Sequence, residues 1–144
     1  MKIAIIKSEY NPEIVNNLLE ACIIGLNRSQ FPKKDISTFS VPGAFEIPLM
    51  AKKIASTKKF NLIIALGVVI KGQTDHYQHI CQQCSRGIMQ VQLETEIPII
   101  FEVLMVTKEK YARARSSLIK LEDNKGLHAA EAAIKLLKVI QTRI

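Results

Sequence analysis

Two nearly uninterrupted apolar segments constrain the fold of this chain more than any other feature. Residues Leu62–Ile70 are all aliphatic apart from Gly67, and residues 97–106 are broken only by Pro98 and Glu102. Neither segment approaches the roughly 20 residues that cross a bilayer. Strands that are apolar on both faces belong to parallel sheets covered by helices on each side. The sequence therefore predicts an α/β fold in which both segments are buried strands.

Shorter strand-like and helix-like segments alternate around these two strands. Strands are also expected over residues 3–6 and Ile36–Val41, and a helix is expected to begin with Asn11 as its cap and Pro12 in its first position. Further helices are predicted over residues 48–55, 74–94, 109–118 and 124–140. This order predicts a single domain over residues 1–144, a three-layer α/β/α sandwich with four parallel strands and right-handed crossovers.

Composition and charge narrow the class of protein. Hydrophobic residues form 48% of the 144 and the net charge is +7, which is typical of a globular chain rather than a disordered one. The basic residues are dispersed over predicted helix surfaces, which favours solvated faces over a nucleic-acid surface. The apolar start before Ser8 is too short for a secretory signal, and three cysteines argue against a disulfide framework. We therefore expect a cytoplasmic protein without a membrane or nucleic-acid partner.

The turn after the third strand is the first candidate site. Ligands bind at the carboxyl ends of the strands in open parallel sheets, and residues 71–76 occupy that place. Gly72 permits a tight turn, and the amides of Gln73 and Thr74 at a helix start would bind an anion. His76 would then act as a general acid or base near neutral pH. The pattern alone fits an ordinary cap with Thr74 or Asp75, and a surface histidine, at least equally well.

The residue types of a zinc site occur in the following helix, at His76, His79, Cys81 and Cys84. At about 100° per residue, the two cysteines fall on the apolar, core-facing side of that helix, whereas His79 falls on the opposite side. Ligands that cannot converge do not form a tetrahedral site. A core-facing Cys-x-x-Cys pair also lacks the exposed thiolate of a redox motif. We therefore expect structural cysteines and no metal.

Six sequence blocks resemble the lumazine synthases, in the same order along the chain. They are residues 8–11 (SEYN), 41–48 (VPGAFEIP), 65–77 (ALGVVIKGQTDHY), 87–88 (GI), 98–101 (PIIF) and 124–126 (NKG). The resemblance covers essentially the whole chain, and the second block together with the Gly-x-Thr-x-His turn is highly specific. It implies a flavodoxin-like α/β/α sandwich.

The resemblance also implies a transferase of riboflavin biosynthesis. Lumazine synthases condense 5-amino-6-(D-ribitylamino)uracil with 3,4-dihydroxy-2-butanone 4-phosphate to 6,7-dimethyl-8-ribityllumazine, releasing phosphate and water. They require no cofactor or metal. They are homopentamers or are built from pentamers, and their active sites lie between adjacent subunits.

Each residue that matches the family pattern acquires an implied role. The pyrimidine and its ribityl chain would be held by Tyr10, Ala44, Glu46, Val69, Ile70 and, from a neighbouring subunit, Phe101. The butanone phosphate would be held by Gln73, Thr74, Arg115 and Lys125. His76 would move protons during imine formation and phosphate elimination. Arg115 keeps the family's spacing from Phe101, but Arg113 remains an alternative phosphate ligand.

Several positions depart from the family pattern. Tyr10 replaces a more frequent phenylalanine, and Gln73 stands where many members carry glutamate or alanine. Glu102 replaces a glycine after Phe101, and residues 104–106 (LMV) replace a more polar segment. The last two changes adjoin the implied inter-subunit site and are placed to alter its shape.

Three features bear on assembly. Met89 and Leu93 fall on the otherwise polar side of their helix, which indicates contact with another subunit. The chain begins at its first core strand, and the connection 116–123 is longer than usual and lacks the glycine-rich kink associated with icosahedral shells. We therefore expect a free pentamer or paired pentamers rather than a capsid.

Two other functions share most of these features. An archaeal-type riboflavin synthase has a related fold, but the anion-binding turn and His76 favour a phosphorylated substrate. A catalytically silent flavin- or lumazine-binding protein would use the same binding residues, so only turnover separates it from the enzyme. A nucleic-acid-binding module is a distant third reading, which salt-sensitive DNA binding would test.

Overall fold

A computed structural model describes all 144 residues of the chain. The strands are β1 (Ile3–Ser8), β2 (Ile36–Val41), β3 (Leu62–Ile70) and β4 (Ile99–Val106), and the helices are α1 (Pro12–Arg28), α2 (Ile47–Ser56), α3 (His76–Thr95), α4 (Glu109–Arg115) and α5 (Lys125–Arg143). The strands form one parallel sheet in the order β2-β1-β3-β4. The predicted α/β sandwich is therefore confirmed. None of the helices combines the length and the apolar character that a bilayer crossing requires.

Helices bury the sheet on both faces. Residues 62–66 of β3 are completely inaccessible to solvent. Alternate side chains of the strands pack under α1, α4 and α5 on one face, and under α2 and α3 on the other. This two-sided burial is what the apolar segments predicted.

Several predicted boundaries are wrong by two or three residues, and side chains near the ends explain two of them. β4 begins at Ile99 rather than at residue 97, because Pro98 has no N–H to donate to a strand ladder. α4 ends at Arg115 rather than at residue 118, where the Ser116 hydroxyl donates to the Ala112 carbonyl at 2.8 Å. α5 begins one residue later than predicted and extends three residues further.

β4 lies at one edge of the sheet, where β3 is its single partner. The carboxyl ends of the two strands are level, since Ile70 pairs with Val106. The Lys71 amide then donates to the Val106 carbonyl at 2.9 Å. The turn after β3 and the segment after β4 consequently leave the sheet side by side.

The start of α5 is held tightly against α1. The side chain of Asn124 is fully buried: its Oδ1 accepts the Gly126 N–H at 2.8 Å, and its Nδ2 donates to the carbonyls of Asn17 and Ser117. Gly126 approaches α1 so closely that an added Cβ would collide with the Leu18 carbonyl. The position of Lys125 at the head of the helix is therefore fixed by packing on both sides.

Replacing Gly126 by alanine is expected to lower the free energy of unfolding by about 2–3 kcal/mol, because α1 and α5 must separate to admit the methyl group. Gly72→Ala is the matched control, since a Cβ there meets no atom within 4 Å. Denaturant unfolding at a fixed chain concentration measures both values. Equal stabilities of the two variants would contradict the close approach.

Candidate active site

The carboxyl edge of the sheet collects most of the predicted site residues. Tyr10 follows β1, Ala44 and Glu46 follow β2, and residues 71–75 follow β3. The Glu9 amide donates to the Val41 carbonyl at 2.8 Å and so ties the first two connections together. Because parallel strands end at the same edge, these groups share one side of the molecule.

Tyr10 presents its ring at the end of β1, where the side chain is 75% exposed. The next residue, Asn11, is in the left-handed region at φ 55°, a conformation that asparagine tolerates better than most residues. The prediction that Asn11 is the N-cap of α1 and Pro12 its first residue is confirmed; the Asn11 backbone carbonyl accepts the Val15 N–H, and its side chain makes no capping hydrogen bond. The reversal at Asn11 leaves the aromatic ring free to stack on a flat ligand.

Glu46 is held beside the end of β2 by the backbone. Its Oε2 accepts the Gly43 N–H at 3.0 Å, and a Cβ on Gly43 would lie only 3.2 Å from that oxygen. The second carboxylate oxygen has no partner in the chain, so it can accept hydroxyl hydrogen bonds from a ligand. Ala44, two residues before it, is buried in the core on the side of α2 and α3.

The turn after β3 carries unsatisfied backbone donors. α3 begins at His76 rather than at residue 74 as predicted, because the Thr74 hydroxyl accepts the His76 N–H at 3.3 Å. The amides of Gly72, Gln73 and Thr74 donate to no acceptor within the protein. The cap and the anion site thus coexist: the Thr74 oxygen caps the helix, and the free amides remain available to an anion.

His76 is the first residue of α3 and is exposed at the same edge. Its imidazole has no hydrogen-bond partner in the chain, so it can exchange protons with a ligand held at the turn. Val69 and Ile70 are half-buried at the end of β3, directly before Lys71, where the turn begins.

The two candidate arginines differ in their partners. Arg113 forms ion pairs with Glu13 of α1 and Glu109, each at 3.3 Å. Arg115 has no carboxylate partner. A guanidinium already shared by two carboxylates is a poor phosphate ligand, so this geometry favours Arg115.

Tyr111 positions Arg115, a role that the sequence analysis missed. The Arg115 Nη1 donates to the Tyr111 carbonyl at 3.2 Å, and the guanidinium carbon lies 5.9 Å from the centre of the Tyr111 ring. Both residues line a shallow pocket of about 270 Å³ at the end of β4, with Met105, Val106 and Thr107. The i, i+4 spacing of tyrosine and arginine on a helix was the available signal.

Phe101 and Lys125 are not brought to the turn within one chain. Phe101 pairs with Ala65, five positions before the pair Ile70 and Val106, which places it roughly 16 Å back from the carboxyl edge. Lys125 is the first residue of α5, which packs on the face of the sheet that also carries α1 and α4. Both residues, like Arg115, belong to or follow β4, the edge strand that has only β3 as a strand partner.

The cysteine prediction is right for one of the two thiols. Cys84 is fully buried, and burial together with the nearby Cys81 raises its thiol pKa to about 12. Cys81 is half-exposed rather than core-facing, and it lies in hydrogen-bonding contact with the Tyr77 hydroxyl. His79 is exposed. No three His, Cys, Asp or Glu side chains lie close enough to share a metal ion.

An exposed apolar surface covers parts of α2 and α3. The predicted exposure of Met89 and Leu93 is confirmed, since they are 52% and 71% accessible, and Leu49 on α2 is also exposed. The two helices pack closely where Gly87 meets Pro48, and the ion pair of Lys52 and Glu94 joins them at 2.6 Å. Apolar side chains on such a rigid pair of helices are typical of a subunit contact.

Comparison with known proteins gives a consistent result. The sequence model of the family described as 6,7-dimethyl-8-ribityllumazine synthase matches residues 1–141. A protein of Coxiella burnetii strain Dugway 5J108-111 with that name is 42% identical over 140 residues, which span 97% of this chain and 91% of that protein. A protein of the same name from strain CbuG_Q212 is 41% identical over the same shares of both chains.

Arg115→Ala is expected to weaken binding of inorganic phosphate about tenfold or more, since a charge-assisted hydrogen bond is lost. Arg113→Ala is the matched control and is expected to change the dissociation constant less than about twofold, because Arg113 is occupied by two carboxylates. Calorimetric titration of the intact protein measures both constants. A larger loss in Arg113→Ala would show that the phosphate ligand is Arg113.

Proposed function

This chain belongs to the 6,7-dimethyl-8-ribityllumazine synthase family, and we propose that its active centre is the turn of free amides after β3 together with His76. The chain is a transferase of riboflavin biosynthesis. It condenses 5-amino-6-(D-ribitylamino)uracil with 3,4-dihydroxy-2-butanone 4-phosphate to 6,7-dimethyl-8-ribityllumazine and releases phosphate and water. The observation that carries the assignment of the centre is the set of unpaired amides at Gly72, Gln73 and Thr74, beside an unpaired imidazole.

The pyrimidine substrate is bound at the ends of β1, β2 and β3. The exposed ring of Tyr10 stacks on the pyrimidine, and the free oxygen of Glu46 accepts hydroxyl groups of the ribityl chain. Ala44 and the backbone groups of Val69 and Ile70 form the remaining wall. Holding the amine against the ketone in this way replaces the entropy cost of bringing two molecules together.

The butanone phosphate is bound where the turn faces a cationic partner. The amides of Gln73 and Thr74 hold the phosphate oxygens, and Arg115 supplies a guanidinium that is free of carboxylates. Lys125 adds a second cation. Because the departing phosphate is already paired with these donors, charge that develops during its elimination is stabilised.

His76 transfers the protons of the condensation. The amine of the pyrimidine attacks the ketone, and loss of water from the adduct gives the imine. Phosphate then leaves by elimination, and the resulting enol tautomerises to a ketone. The second nitrogen attacks that carbonyl, and loss of a second water closes the ring. The exposed imidazole at the start of α3 can donate and accept protons in these steps.

Each site is formed by two adjacent subunits of a homopentamer. Phe101 lies back from the carboxyl edge on β4, Lys125 begins α5, and Arg115 lies beside the end of β4, the strand with an open edge. When a neighbouring subunit lies against that edge, these three side chains complete its site, with Phe101 covering the pyrimidine. The exposed apolar surface of Leu49, Met89 and Leu93 supports such an assembly.

The assembly is a free pentamer or a pair of pentamers in the cytoplasm, and its partners are small-molecule substrates rather than nucleic acid or membrane. The three cysteines are all free thiols, and two of them are buried. Free thiols are typical of a reducing compartment.

The activity assay mixes the purified protein with both substrates and follows lumazine fluorescence and released phosphate. His76→Ala is expected to lower kcat about 10²- to 10⁴-fold without abolishing turnover, because positioning supplies the rest of the acceleration. His79→Ala removes an exposed histidine three residues further along α3 and is expected to leave kcat within about twofold. If the wild-type protein forms no lumazine above the uncatalysed rate, the proposed function is wrong.

Light scattering tests the assembly. Five chains of 144 residues are expected at about 80 kDa and paired pentamers at about 160 kDa. Leu93→Lys is expected to shift the protein towards smaller species, because it places a charge in the apolar contact. A particle of about one megadalton, the mass of sixty chains, would indicate a capsid instead.

A further inference from the structure

The short helix α4 carries two free cations beside one that is neutralised. Arg113 pairs with Glu13 of α1 and with Glu109, each at 3.3 Å. Arg115 lies two residues further along and therefore on the opposite side of the helix. Lys110 and Arg115 are both exposed, and neither forms an ion pair with a carboxylate. Glu109, which precedes Lys110, is already engaged by Arg113, so the positive charge of Lys110 and Arg115 is left for a ligand.

The ring of Tyr111 contacts both of these free cations. The Lys110 Nζ atom lies 5.3 Å from the centre of the ring, and the Arg115 guanidinium carbon lies 5.9 Å from it. The negative face of an aromatic ring attracts a cation at such distances. The Arg115 Nη1 also donates to the Tyr111 carbonyl at 3.2 Å. A single residue therefore holds two cations close together against their mutual repulsion.

The shallow pocket at the end of β4 offers a place for an anion beside these charges. Tyr111 and Arg115 line it with Met105, Val106 and Thr107, and its volume is about 270 Å³. Pockets for drug-sized ligands are usually larger, so this one suits a small ligand or one end of a longer one. Met105 and Val106 supply a short apolar wall, and the Thr107 hydroxyl can donate a hydrogen bond. Such a lining fits a small organic anion.

We propose that Tyr111 is a positioning residue that gathers Lys110 and Arg115 into one anion-binding group, in which Lys110 is a second cationic ligand for a phosphorylated compound. The class of ligand follows from the charges and the size of the pocket. Its identification with the butanone phosphate rests on the proposed function. A phosphate monoester carries nearly two negative charges at neutral pH, so two cations hold it more tightly than a guanidinium alone. An ammonium binds as a point charge, so Lys110 needs no fixed fork geometry.

Calorimetric titration of the intact protein with inorganic phosphate tests the proposal. Lys110→Met is expected to raise the dissociation constant about three- to tenfold, because one cationic partner of the anion is lost. Lys108→Met removes the same charge two residues earlier, from a side chain that does not contact the ring, and is expected to change the constant less than about twofold. An unchanged constant in Lys110→Met, or no measurable phosphate binding by the wild-type protein, would overturn the proposal.

Two substitutions at Tyr111 separate positioning from a purely structural role. Tyr111 is 40% exposed, so both variants are expected to fold, which the midpoint of thermal unfolding verifies. Tyr111→Leu removes the ring and is expected to raise the phosphate dissociation constant about three- to fivefold, whereas Tyr111→Phe keeps the ring and is expected to stay within about twofold of wild type. Because the ring acts through the cations, Lys110→Met is expected to have a smaller effect in the Tyr111→Leu background than alone. Equal losses in the Leu and Phe variants, or effects that simply multiply, would refute the positioning role.

Steady-state kinetics distinguish this inference from the proposed function. In Lys110→Met the KM for the butanone phosphate is expected to rise about three- to tenfold, while kcat changes less than about twofold. If the wild-type protein forms no lumazine but binds inorganic phosphate through Lys110, the proposed function fails and the anion-binding group stands. If it forms lumazine with the same KM in Lys110→Met, the inference fails and the proposed function stands.

Discussion

Burial of the parallel sheet on both faces decides where chemistry is possible in this molecule. The side chains of β1 and β3 pack against the two helix layers, with Lys7 and Ser8 at the end of β1 as the polar exceptions. Polar groups that can act on a ligand are found where the strands stop, and along β4, which has one strand partner instead of two. The hydrogen bond from the Lys71 amide to the Val106 carbonyl holds the turn after β3 level with the end of β4. The carboxyl edge and the β4 edge are therefore the two halves of the proposed site, which is not one enclosed cavity.

Much of the fold follows from side-chain periodicity, and the exceptions have local causes. β3 begins and ends at the predicted residues, because its buried apolar run is bounded by residues that leave the sheet; the partly exposed edge strand β2 also has its predicted bounds. The starts of α3 and β4 and the end of α4 depend instead on Thr74, Pro98 and Ser116. Periodicity does not encode such single side chains. The position of β4 at an edge also required the strand order, which pattern alone did not supply.

The candidate site was predicted from the sequence as a set of residues, without the contacts among them. The resemblance named Phe101 and Lys125, but their distance from the turn becomes intelligible only once β4 is seen at the sheet edge. The choice between Arg113 and Arg115 depends on Glu13, which is distant in sequence and approaches only through the packing of α1. Tyr111 acts through the Arg115 side chain, and a single sequence carries little signal for that kind of role.

The meeting of the two halves across a subunit contact is tested most directly by complementation. His76→Ala damages the carboxyl-edge half of every site, and Arg115→Ala damages the β4 half of every site. Neither variant alone therefore has an intact site, and both turn over slowly at low butanone phosphate. When the two are co-assembled in equal amounts, about one contact in four pairs two intact halves, and about a quarter of the wild-type activity is expected to return. Activity equal to the mean of the separate variants would show that each site is contained within one chain.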